Sequence, residues 1–153
     1  MKTKKVCIVV TSLGRGGAER SSALLSIMLD NLGYNVHIVS VLNDIEYEYK
    51  GTLLNLGEFK DQEDTFIGRF QRYIIFKNYL KSQKFDLIID NRTRPKVIKE
   101  FLINRLLFKN YNVVYVARSR KIELYFTKSI YWAKKYLRTH LLMLVFQKIL
   151  LMC

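Results

Sequence analysis

The stretch Lys5 to Thr11 is dominated by an unbroken apolar run, and a glycine-rich hexapeptide, Ser12 to Gly17 (Ser-Leu-Gly-Arg-Gly-Gly), follows it at once. An apolar run without polar alternation is the pattern of a strand covered on both faces, the situation of a parallel sheet. The hexapeptide then has to turn the chain sharply. Ala18 to Leu32 follows with helical periodicity: Ala18, Leu25, Met28, Leu29 and Leu32 fall on one face and are expected to be its buried side. Gly33 is placed to stop that helix, and Asn35 to Leu42 is a second apolar strand. Strand, tight turn, helix and strand make one βαβ unit, right-handed by the general rule.

The rest of the chain repeats the alternation. Asn43 to Lys50 is polar and acidic and is expected to be a loop, Thr52 to Leu56 a short third strand, and Glu58 to Asp64 an acidic loop. Phe66 to Ser82 is read as a helix. Its inner face is expected to hold Phe66, Phe70, Tyr73, Ile74, the stem of Lys77, and Leu80, with a basic outer face. Phe85 to Ile89 is a fourth strand, Lys96 to Phe108 a helix with Pro95 in its first turn, Asn112 to Ala117 a fifth strand, and Ser129 to Leu137 a last helix. The fold class that follows is α/β: a single Rossmann-like domain over residues 1–137, its sheet mostly parallel with helices on both faces. Residues 138–153 read as a separate, aberrant apolar tail.

In such sheets ligands bind beyond the carboxyl ends of the strands. The segments there are Ser12–Glu19, Asn43–Glu48, Asp90–Arg94 and Arg118–Lys121, and three of the four carry arginines. That convergence points to an anionic ligand. Gly14, Arg15, Gly16 and Gly17 lead into a helix N-terminus, where backbone N–H groups and a partial positive charge favour a phosphate. Glu19, Arg20, Arg92, Arg94 and Arg118 are further candidates for acceptor or phosphate contact. The bland alternative for the loop is a tight turn that packs closely on the sheet, and for Asp90–Arg94 a capping turn. A Walker A loop is excluded because no Lys-Ser/Thr pair follows the glycines. A dinucleotide fingerprint fails at its sixth position, where Glu19 would repel a pyrophosphate unless Arg15 or Arg20 neutralised it. His37 lies inside the second strand and is expected to be structural, since nothing near it has metal-ligand spacing. No catalytic triad and no metal site are readable.

The opening of the chain, and above all Gly16-Gly17-Ala18-Glu19-Arg20 after an apolar strand, resembles family 4 glycosyltransferases of the GT-B fold. Relatives open with a turn of the form Ser-Leu-Gly-x-Gly-Gly-Ala-Glu-Arg, an apolar helix, and a Gly-(His/Tyr)-x-Val element, which Gly33-Tyr34-Asn35-Val36 matches. A weaker match runs through Phe85 to Ile89 and Val113 to Val116, so the resemblance covers roughly residues 4–128. It implies the N-terminal, acceptor-side half of a two-domain enzyme that transfers a sugar from a nucleotide-sugar to a glycan or lipid-linked acceptor with retention. Gly16 and Gly17 would then approach the donor diphosphate. Arg118 stands where many relatives place a histidine; it can bind a phosphate but cannot act as a base. The family's Glu-x7-Glu motif and its diphosphate-binding Arg/Lys pair belong to the C-terminal half. These residues alone are therefore expected to be a truncated, inactive enzyme with no cofactor beyond the donor substrate.

Charge divides the sequence. Residues 1–68 hold 7 Lys/Arg and 9 Asp/Glu, whereas residues 69–153 hold 19 and 4, for a net charge of +13 overall. Nucleic acid, an anionic membrane surface and a phosphorylated substrate would each suit that excess. Basic residues interleaved with aromatics such as Phe70, Tyr73, Phe76 and Tyr79 fit single-stranded nucleic acid or a lipid interface. The resemblance favours the membrane over nucleic acid, so a non-catalytic basic binding module is the alternative function, and a nucleotide-binding oxidoreductase fragment the third. Only Cys7 and Cys153 occur, which suits a reducing cytosol. No signal peptide or transmembrane helix is read, so a cytoplasmic protein, peripheral on the inner face of the membrane, is expected. The run Leu141 to Met152 is apolar on nearly all sides and is expected to mark a frameshift near Leu137 to Thr139.

Overall fold

The computed structural model describes residues 3–60, 65–92 and 103–116. A five-stranded, all-parallel sheet forms from β1 (Lys5–Val10), β2 (Asn35–Ser40), β3 (Thr52–Asn55), β4 (Leu87–Asp90) and β5 (Val113–Tyr115), in the spatial order β3-β2-β1-β4-β5. Helices α1 (Gly17–Asn31) and α2 (Phe66–Gln83) cover opposite faces. The protein is a single α/β domain of Rossmann-like architecture, as the alternation of elements requires. In register, Val6 lies beside Val36 and Leu87, so three apolar strands align through the centre. Alternate residues then serve alternate faces. Ile8, Val10, Val36 and Ile38 meet α1, while Cys7, Val9, Val39 and Ile88 meet α2.

The two helices are anchored differently. Gly33 adopts φ 83°, the left-handed conformation that ends α1, and the N–H of Tyr34 returns to the Leu29 carbonyl at 3.0 Å. α2 starts at Thr65, whose hydroxyl accepts from the Gly68 N–H at 3.2 Å, and ends at Lys84 with φ 51°.

Both predicted helix faces need correction. On α1, Leu25 and Leu29 pack against the sheet, but Met28 and Leu32 are exposed. The buried positions are Ser22, Ala23 and Ser26. Ser26 gives its hydroxyl proton to the Ala23 carbonyl at 2.6 Å and accepts the Lys50 N–H at 3.0 Å, so a buried hydroxyl is fully used. Counting apolar residues misses such positions. On α2 the inner face is Phe76 and Leu80 with Tyr73, Ile75 and Tyr79 beside them, while Phe66, Phe70 and Ile74 turn outward. The register of that amphipathic pattern is rotated from the expected one.

The loop expected over Asn43–Lys50 is irregular but not merely polar. Ile45, Tyr47 and Tyr49 alternate with exposed Glu46, Glu48 and Lys50 and pack on the α1 side of the core. Of the helix expected over 96–108, the described portion is Ile103 and a π-helical turn, Asn104–Phe108, which buries Leu107 and Phe108. Asp90, expected just beyond the fourth strand, is its last residue. The remaining expectations, including Pro95, the helix over 129–137 and the tail over 138–153, lie outside the described residues.

Candidate functional site at the sheet switch point

The chain leaves β1 through α1 toward β2 and later returns on the other side of β1 as β4. That reversal opens a crevice beyond the carboxyl ends of β1 and β4, where α/β sheets bind ligands. Two of the predicted segments meet there: the loop Ser12–Gly17 with the first turn of α1, and Asp90–Arg92. The parallel ladder carries them into position, since the Asn91 N–H donates to the Val9 carbonyl at 2.8 Å. The Asn91 amide also donates to the Ser22 hydroxyl, which ties the end of β4 to the inner face of α1.

The loop is held from its other side. The Leu13 N–H donates to the Asp44 carbonyl at 2.9 Å, and the Leu13 carbonyl accepts from Glu46 and Tyr47 at 3.0 Å each. Leu13 itself is fully buried. At the helix start, Gly16 is the N-cap residue with an extended backbone (φ 177°, ψ 160°), it supplies no side-chain cap, and its carbonyl accepts the first helical bond from Arg20 at 3.0 Å. The uncapped first turn favours a negative group.

None of the three glycines is held in a left-handed backbone, and what a side chain would meet differs from one to the next. A Cβ on Gly14 would stand 1.9 Å from the Asp44 carboxylate, and one on Gly16 would stand 2.1 Å from that of Glu19, while Gly17 is open. Two carboxylates thus occupy the ground in front of the helix N-terminus. Both are the ends of flexible side chains and can be displaced.

The arginines are less available than their number suggests. Arg15 donates from Nε to Glu46 at 2.6 Å, so it neutralises Glu46 and not Glu19. Arg92 grips Asp90 in a two-pronged pair, Nε to Oδ1 at 2.8 Å and Nη2 to Oδ2 at 2.6 Å, with its guanidinium 5.7 Å from the centre of the Phe108 ring. The Arg92 N–H closes a turn back to the same carboxylate at 3.3 Å. Asp90 thus closes a local turn onto Arg92, and an incoming anion would compete with Asp90 for Arg92; the start of the helix that this turn is expected to cap lies outside the described residues. Arg20 is exposed on the first turn of α1. Arg94 and Arg118 lie outside the described residues.

Away from the crevice, His37 is buried under α2. Its Nδ1 lies 2.6 Å from the Tyr79 hydroxyl, and its ring packs edge-on against Phe85. Nε2 is buried without a hydrogen-bond partner. Burial, then the Lys5 ammonium, hold the imidazole below its ordinary pKa, so it is neutral in the folded protein. Burial, followed by Cys7, pushes the Tyr79 phenol up to about 12. Burial, then Asp90, raises the Cys7 thiol far above its usual range, which leaves it unreactive. This pair fills the core under α2 and is the structural histidine that the sequence suggests. Among the described residues no group of three or more His, Cys, Asp or Glu is placed to hold a metal, and no helix is long and apolar enough to cross a membrane.

No protein-family model and no curated protein matches this chain.

Proposed function

We propose that this domain is the N-terminal, acceptor-side half of a GT-B glycosyltransferase resembling family 4, and that the 153 residues by themselves do not transfer sugar. The observation that carries the reading is the coincidence of motif and place. The string Gly14 to Arg20, on which the resemblance rests, stands at the switch point and opens α1. A nucleoside diphosphate is the leaving group of such a transfer. The uncapped first turn of α1, with Arg20 beside it, supplies N–H groups and positive charge for that group. Glu19 and Asp44 must swing aside as the diphosphate arrives, which weakens binding to this half alone. Acceptor contact falls to the other side of the crevice, near Asp90–Arg92.

The test combines thermal unfolding with an activity assay. A diphosphate at tenfold its Kd adds about 1.4 kcal/mol of stability. Gly16→Leu keeps an allowed backbone, displaces only the Glu19 carboxylate, and should abolish that gain. Equal stabilisation of both proteins would reduce the loop to a turn. Turnover of any nucleotide-sugar by the 153-residue protein would refute the half-enzyme reading.

A further inference from the structure

We infer that the outward face of α2 docks onto an anionic lipid surface. The inference stands on α2 alone and holds whether or not the domain serves glycosyl transfer. Phe66, Phe70, Ile74, Lys77 and Lys81 are spaced by three or four residues and so share one face of the helix. That face is turned away from the core, which Phe76 and Leu80 fill from the adjoining side of the helix, and Phe66, Phe70 and Ile74 are exposed. Its apolar end is bare: Phe66 is 83% exposed, Ile67 69% and Phe70 56%. Two phenylalanines and two isoleucines in successive turns form a continuous apolar strip, not scattered surface residues.

The charge on the same helix selects the partner. Between Phe66 and Lys84 stand Arg69, Arg72, Lys77, Lys81 and Lys84 and no Asp or Glu. Lys77 reaches back over the Tyr73 ring at 5.7 Å, and that ring stacks on Phe70. The lysine stems thus extend the apolar strip while their ammonium groups stay in water. An aromatic strip at one end and lysines at the other suit a lipid interface, where the rings enter the acyl boundary and the ammonium groups meet anionic headgroups. A second copy would offer this helix, which carries no Asp or Glu, only side chains of the same charge, whereas anionic headgroups complement its lysines.

Cosedimentation of the full chain with vesicles tests this. The protein should pellet with phosphatidylcholine vesicles that contain phosphatidylglycerol, less so at high salt, and weakly with phosphatidylcholine alone. Phe66→Ser with Phe70→Ser should weaken binding by about tenfold or more. Lys77→Glu with Lys81→Glu should weaken it at least as much, since each lysine near the surface contributes roughly fivefold. All four side chains lie on the outward face, so thermal midpoints should stay near wild type. Two results overturn the inference. If both double variants bind like wild type, the lipid contact lies elsewhere, as in the apolar run 141–152. If wild type is a dimer in solution that either pair dissociates, the strip belongs to a second copy.

Discussion

The two faces of the sheet are built on opposite principles. Under α1 the helix offers Ser22, Ala23 and Ser26, small groups that bring its backbone close to the strands. Under α2 the space is filled by Phe76, Leu80, Phe85 and Phe108, with Phe76 and Phe108 meeting edge to face at 6.1 Å. The α1 side spends its hydroxyls on cross-links, to Lys50 through Ser26 and to Asn91 through Ser22. The α2 side relies on apolar bulk. The first arrangement fixes position, which suits the helix whose N-terminus lines the crevice. The second supplies most of the apolar burial and leaves α2 free to present an outer strip.

The contrast predicts opposite sensitivities to side-chain size. Phe76→Ala, on the bulky face, should cost about 3–5 kcal/mol in denaturant unfolding through the cavity it leaves. A loss below 1 kcal/mol would mean that α2 collapses easily onto the sheet. Ala23→Leu, on the close-packed face, should cost about 1–3 kcal/mol by overpacking, and it should also disturb the Ser22–Asn91 link. If Ala23→Leu were neutral, the tight approach of α1 would not be a requirement of the fold.

The smallest effect concerns the buried imidazole on the bulky face. His37 has a depressed pKa in the folded chain and its ordinary value near 6.5 in the unfolded chain. Above 6.5 both forms are neutral and the stability is whole. As pH falls below 6.5 the unfolded chain takes up the proton first, so folding weakens toward the depressed value. His37→Gln should lower stability at neutral pH yet flatten the fall of the thermal midpoint between pH 7.5 and 5.5. Identical slopes in the two proteins would remove His37 as the source.

Much of the architecture was legible because the strands that matter are long apolar runs. Val6 to Val10 admits hardly any other reading, and Gly33 marks the end of α1 by a conformation that few other residues adopt. The faces of the helices were harder. Ser22 and Ser26 score as polar although they are buried, because their partners, Asn91 and Lys50, are distant in sequence. Phe66 and Phe70 score as core although the helix turns them outward. Of the crevice, the loop and its helix were readable from the glycines. The state of its arginines was not: Arg15 meets a carboxylate 31 positions away, and Arg92 folds back on its own turn. The one available hint was the alternation from Ile45 to Lys50, which already implied a segment laid against the core with its glutamates outward.

The triple clasp on Leu13 has a mechanical consequence. A glycine-rich loop is easily imagined as a flap that folds over its ligand. Here the backbone just before the first glycine is bonded on both its N–H and its carbonyl to the chain that follows β2. Lifting the loop would mean stripping that neighbouring segment, with Tyr47 and Tyr49, from the hydrophobic core. The floor of the crevice is therefore stationary, and any closing movement has to come from side chains such as Glu19 and Asp44, or from whatever approaches the crevice from above.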